Sequence, residues 1–243
     1  MRKARKPPSS AKTRPRHAEG HRQTNWLRDV ILGGQDGLVN ILGIILGVSA
    51  AGGSTTVLVV TGFAAAVTES ISMGAVGYTS SVSERDYYEA ERAKERREIE
   101  TEPDAERAEV RALYAAKGFG GELLDQIVET ITADRAQWVQ TMMDEELHLQ
   151  PVETRDIIRT SVVITIATLI GHLIPLVPFL FLARTPALVV AFIASAIVLF
   201  GVGAYSAITL VGDWRRSGTQ MLLIGLGAAL LGYLISSLVG RVA

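Results

Sequence analysis

The chain has 243 residues, 48% of them hydrophobic, and its 24 Lys and Arg nearly balance 25 Asp and Glu, leaving a formal net charge of -1. That balance argues against a nucleic-acid binder, because the bases sit among acids and form no uncompensated patch. With no cysteine there is no disulfide framework, thiolate zinc site or iron-sulfur cluster, so any metal must be held by oxygen, imidazole or thioether.

Residues 1–24 form a basic arm. Met1 to Arg22, taken with Arg28, carries nine of the Lys and Arg residues. A full-length apolar segment with no small-residue cleavage site follows, so the arm is expected to be a tail and not a removable signal peptide. Trp26 to Ala51 and Val57 to Ser80 are each long enough to cross a bilayer, which takes roughly 20 residues. A charged insert comes next, and then three more such runs, Ile157 to Leu182, Ala187 to Val211 and Met221 to Val239. The expected architecture is an all-α membrane protein: transmembrane helices 1 and 2 in residues 25–83, the insert in 84–151, and transmembrane helices 3 to 5 in 152–243.

Five spans put the termini on opposite sides, and the distribution of Lys and Arg chooses which. With the basic arm in the cytosol, the turn from Ala51 to Thr56 falls outside without a basic residue, and the insert falls inside. Arg184 is then alone outside, while Arg215 and Arg216 are inside. The C-terminus is expected outside, and with no eukaryotic sorting signal evident the expected membrane is a bacterial cytoplasmic one.

Two of the spans carry acids. Asp36 lies ten residues past Trp26, about 15 Å along a helix and near the middle of a ~30 Å hydrocarbon core. An ionisable group there costs at least ~2.5 kcal/mol and is a functional candidate by default. Asn40 shares its face one turn on. In the second span Glu69 and Met73 are also one turn apart, and the four residues outline a polar transport path. The plainer alternative is that both acids are protonated and hydrogen-bond neighbouring helices; two acids in successive spans weigh against it. His172, with no acid nearby in sequence, is assigned a helix contact instead of a ligand role, and Asp213 beside Trp214 an interfacial anchor.

The insert reads as three helices. Glu84 to Glu102 prolongs the second span until Pro103 interrupts the ladder. Thr101 and Asp104 have capping-box-like spacing around that proline, and the next helix runs to Lys117. Gly118, Gly120 and Gly121 make the turn before Glu122 to Leu149, with Pro151 as the stop. On the first of these helices Glu91, Glu95, Glu98 and Glu102 fall at i, i+4, i+7 and i+11, while Arg85, Arg92 and Arg96 form a separate basic stripe. Glu106 and Glu109 follow at i, i+3, and Met142, Met143, Glu145, Glu146 and His148 lie within two turns of the third helix.

A solvated hairpin with charges on its outside is the plain reading of such a segment. Like charges at i, i+4 cost a few tenths of a kcal/mol per pair, however, so an all-acid stripe calls for a facing cation or basic partner. Adjacent methionines are more often core filler than ligands. Of the two, Met142 is better placed, one helical turn from Glu146. Carboxylates clustered beside thioethers are ligand chemistry for a divalent transition metal.

At these residues the chain resembles the vacuolar iron transporter family. The likeness rests on QDGLVN in the first span, SISMGAVGY in the second, the Glu-rich insert with EPDAERAEV, the MMDEE run and GHLIPLVPF, and covers Asn25 to Val239. It implies five transmembrane helices per protomer, a homodimer with the transport path between subunits, and a three-helix cytosolic metal-binding domain. By that resemblance Asp36 and Met73 line the path, and Glu95, Glu98, Glu106, Glu109, Met142, Met143 and Glu146 are the ligands of the cytosolic domain. Glu91, Glu102, Glu145 and His148 are additional candidates from the pattern of the insert. The departure is Ala65, where the commoner pattern has a glutamate eight residues before the methionine; Glu69, one turn later on the same face, is the candidate substitute.

The expected function is proton-coupled export of ferrous iron from the cytosol. Iron is the substrate, with Mn2+, Zn2+ and Co2+ as further candidate cargo. No enzyme activity, organic cofactor or nucleic acid is expected. The partners are divalent metal ions, protons, the bilayer and a second copy of the chain. Two alternatives stand beside it: a ferritin-like iron-oxidising protein, suggested by the Glu-x-x-His spacing of Glu145 and His148, and a membrane-anchored iron storage or sensing module.

Overall fold

The computed structural model describes residues 23–209 and 212–239, so the basic arm lies outside the described residues except for its last two positions. Among the described residues nine α-helices follow one another: α1 (Gln23–Ala50), α2 (Thr55–Thr101), α3 (Pro103–Ala116), α4 (Gly121–Thr132), α5 (Arg135–Thr141), α6 (Thr154–Leu176), α7 (Pro178–Phe181), α8 (Arg184–Thr209) and α9 (Trp214–Val239), with a π-helical turn at Met142–Glu146 after α5. Among the described residues there is no strand.

Five helices among the described residues are long and apolar enough to cross a membrane: Trp26–Ala50, Thr55–Thr101, Thr154–Leu176, Arg184–Thr209 and Trp214–Leu238. The chain is an integral membrane protein. The third span ends at Leu176, earlier than its apolar run suggests, because Pro178 has no N–H to continue the ladder. Helix α2 has 47 residues, about 70 Å of helix against a ~30 Å hydrocarbon core. Its C-terminal half therefore stands clear of the bilayer and forms the stalk of the insert.

Within the membrane α1 is the central element, packed on α6 and α9, with α2 on α6 and α8 on α9. Ile41, Ile45, Leu58, Ala66, Leu176 and Phe179 fill the contact. The crossing of α1 and α6 is close enough to need glycine. A Cβ at Gly37 would stand 2.3 Å from the Thr168 carbonyl oxygen, and one at Gly171 would stand 2.4 Å from that of Gly34. At the far end Arg184 donates from Nη1 to the Gly53 carbonyl (2.7 Å) and from Nη2 to that of Ser49 (3.1 Å), tying α8 to the turn between α1 and α2.

The insert has its own core of Tyr88, Ile99, Val110, Leu124, Val128, Trp138, Met142 and Met143. Its details differ from the sequence-based expectation in two places. The single helix expected over Glu122 to Leu149 is broken at Asp134, whose carboxylate accepts from the backbone N–H of Ala136 (2.8 Å) and Gln137 (3.4 Å) and starts α5 anew. The capping box around Pro103 does not form. Thr101 is still helical and its hydroxyl donates to the carbonyl of Arg97 (3.0 Å), leaving Pro103 as the first residue of α3. Outside the insert, Asp213 caps α9 by accepting from the N–H of Arg215 (2.9 Å).

Candidate metal sites

Three carboxylates converge in the insert. Glu95 and Glu98 stand at i, i+3 on α2, Glu106 enters from the first turn of α3 across the Pro103 bend, and one oxygen from each lies within 4.8 Å of the others. Glu95 and Glu106 are buried, at 4% and 6% exposure. Each keeps one oxygen, Oε2, with neither solvent nor a hydrogen-bond partner. A buried carboxylate oxygen without a donor is unstable as an anion, so such a group either takes a proton or receives a cation.

Electrostatics say the same. Burial first, then the charges of Glu146 and Glu98, push Glu95 up to about 7. Burial followed by Glu109 and Glu95 does the same to Glu106, also to about 7. Glu146 is raised as well, by burial and by Glu109. These five acids are thus electrostatically one cluster. Lys94 is the only base set among them in these interactions; its ammonium lies 4.0 Å from Glu91 and 3.8 Å from Glu98 on exposed surface, and it offsets part of the repulsion along the stripe.

Met142 and Met143 are both fully buried in the core of the insert. In a regular α-helix only one of two neighbours shares a face with Glu146. Here the pair opens a π turn, closed by a bond from the Leu147 N–H to the Met142 carbonyl (3.1 Å), which inserts a residue into the ladder, and both side chains are buried in the core. The remaining candidates stand apart from the converging three. Glu102 is exposed at the end of α2, and Glu145 pairs with Lys117. His148 has a positive φ of 52° and its Nδ1 lies 3.1 Å from the Asp144 carbonyl. The Glu-x-x-His pair is therefore engaged elsewhere.

In the membrane, Asp36 and Asn40 lie on a face of α1 left open in the protomer, and Asn40 lines a groove between α1 and α9. Glu69 and Met73 are half-buried on α2. Asp36 is within electrostatic reach of both Glu69 and His172. From Met73 a cavity of about 350 Å³ runs past Asp29 and Glu84, and a second of about 390 Å³ shares Asp29, Ser81, Glu84 and Thr160 with it and reaches His148 at the foot of the insert.

Two residues fall outside the sequence-based candidates. The Asp29 carboxylate accepts from the Thr160 hydroxyl (3.0 Å) in the wall of both cavities; its spacing of two turns before Asp36 was the signal available. His172 is completely buried, and its Nε2 lies 2.9 Å from Glu69 Oε2. No local pattern announces that pair, because its members lie on different helices.

Comparison with known proteins places the chain in a family. The profile of the VIT family matches residues 27–237. Among curated relatives, vacuolar iron transporter 1 of Tulipa gesneriana is 30% identical over 95% of this chain and 91% of its own length. Vacuolar iron transporter 2 of Oryza sativa subsp. japonica is 32% identical over 76% of this chain and 77% of its own. Vacuolar iron transporter 1 of Arabidopsis thaliana is 28% identical over 92% and 90%. With a match that runs from the first span into the last, the chain belongs to the VIT family.

Proposed function

We propose that the protein is a transporter, not an enzyme, and moves ferrous iron out of the cytosol in exchange for protons. The insert collects the metal, and the Asp36, Asn40, Glu69 and Met73 region passes it across. The observation that carries the reading is the pair of buried, partnerless carboxylate oxygens of Glu95 and Glu106, a site incomplete without a cation. The relatives' names supply the identity of the metal. In this reading Glu95, Glu98, Glu106, Glu109 and Glu146 bind it, with Met142 or Met143 as a softer ligand.

The polar face of Asp36 and Asn40, open in the protomer, favours a homodimer in which a second copy covers it, since an acid facing lipid at that depth is costly. The excess of Lys and Arg in the arm and in the loop at Arg215 and Arg216 supports a cytosolic N-terminus and insert. We place the C-terminus on the far side of a bacterial cytoplasmic membrane, while the plant relatives are named for the vacuole. Protons and metal compete for the same carboxylates, so proton uptake releases the metal and metal binding expels the proton.

Sealed proteoliposomes test the reading. Fe2+ addition should drive metal uptake with opposite proton movement, and Asp36→Ala should abolish both while the folded protein persists on size-exclusion chromatography. Metal uptake without proton movement refutes the exchange, and normal flux by Asp36→Ala refutes the path.

A further inference from the structure

We propose that His172 is a metal ligand of the transmembrane path, forming with Glu69 a mixed nitrogen and oxygen site that selects Fe2+, Co2+ and Zn2+ over Mn2+. The Nδ1 atom of His172 lies 2.8 Å from the Thr168 carbonyl oxygen. A carbonyl only accepts, so Nδ1 carries the hydrogen, and the ring is held in one tautomer and one orientation. A backbone carbonyl on the far nitrogen is the usual outer support of a metal-binding imidazole. Nε2, the atom left for a ligand, points at Glu69 Oε2 from 2.9 Å.

That spacing suits a shared cation. Two ligand atoms each about 2.1 Å from a metal stand about 3.0 to 3.4 Å apart, so a cation on the axis of the ring nitrogen can be shared once the Glu69 carboxylate turns slightly aside to admit it. The ring has no freedom to swing away: His172 is fully buried, and Gly37 packs so closely that a Cβ there would stand 2.7 Å from Nδ1. Asp36, the residue before Gly37, is within electrostatic reach of both partners. Met73 is one turn from Glu69 on α2.

An imidazole changes which ions the site prefers. Oxygen donors suit Mn2+, Mg2+ and Ca2+, whereas imidazole suits iron, zinc and the later divalent ions, and affinity rises from Mn2+ through Fe2+ to Co2+ at nitrogen-containing sites. In this chain the acid of the second span stands at Glu69, one turn before Met73 on α2, where His172 can reach it. The selecting role rests on the transport reading above; the binding itself does not.

The test uses the full chain in detergent with Glu95, Glu98 and Glu106 changed to Gln, so that the insert no longer dominates binding, and Co2+ alone as the probe. X-ray absorption at the cobalt edge should detect imidazole scattering that disappears in His172→Gln, with affinity weakened about tenfold or more. His17, His21 and His148 are present in both proteins, so the difference between them is the readout. Glu69→Gln should also lose the Co2+, although the amide can still donate to Nε2; a pair that only clamps α2 to α6 predicts unchanged binding in both variants. No Co2+ bound in the starting protein, or equal spectra and affinities, overturns the proposal. In proteoliposomes the ratio of Fe2+ to Mn2+ flux should fall about tenfold in His172→Gln, and an unchanged ratio overturns the selecting role. If the parent chain carries no Fe2+ at all, the transport reading fails and the cobalt spectra still decide whether His172 is a ligand.

Discussion

A carboxylate oxygen of Glu95 lies within 4.8 Å of one of Glu106, and both residues are buried with an oxygen that no donor reaches. The two acids come from different helices, held together by the bend at Pro103. In the proposed reading this relationship sets how the insert answers to pH and to metal.

Both carboxyls have folded values near 7 against ordinary values of 4.5. Between pH 4.5 and 7 the folded, metal-free insert therefore binds more protons than the unfolded chain, so its stability falls as pH rises through that window and levels off above it. Thermal unfolding of the metal-free protein should be highest near pH 5 and lower at pH 8. Metal binding runs the other way, because protons must leave first: Fe2+ affinity by anaerobic calorimetry should be about 10- to 100-fold weaker at pH 6 than at pH 8. A flat affinity profile would show that these carboxylates do not bind the metal.

Replacing Glu95 and Glu106 by Gln keeps the shape but removes the acids. Measured between pH 5 and 8, the double variant should lose most of the pH dependence of unfolding and bind less Fe2+ per protomer. Unchanged stoichiometry would leave the acids as buried structural groups.

Met142 separates packing from ligation. Met142→Ala empties a fully buried site and should cost about 2–5 kcal/mol. Met142→Leu keeps the volume and should cost less than about 1.5 kcal/mol while still lowering Fe2+ affinity, because the thioether is gone. Equal affinity in the leucine variant would make Met142 core filler only.

Gly37→Ala should weaken the contact between α1 and α6. The new methyl meets the Thr168 carbonyl at 2.3 Å, and the helices must separate. A loss of about 1–3 kcal/mol is expected, read as a lower unfolding temperature in detergent, together with reduced flux because Asp36 and His172 sit at the same crossing.

Arg184→Leu removes two charge-assisted bonds to the carbonyls of Gly53 and Ser49 at the end of α1. Unfolding in detergent should be easier by about 1.5–3 kcal/mol. Asp36 is far along α1 from this end, so Fe2+ affinity should be unchanged.

Much of this protein was legible from its residues in order. Five apolar runs of bilayer length must become helices, since a backbone in lipid has no other way to satisfy its own hydrogen bonds. The acids of the insert at i, i+4 and i+7 announced one face of one helix. What the order of residues left open is every relationship between helices. Glu106 joins Glu95 because a proline bends the chain back, both methionines are buried where a π turn adds a residue to the ladder, and His172 meets Glu69 because Gly37 on α1 and Gly74 on α2 let those helices close on α6. Local periodicity records which side of a helix a residue occupies. Only packing decides what stands opposite it, and in this protein the candidate metal chemistry lies in those opposing pairs.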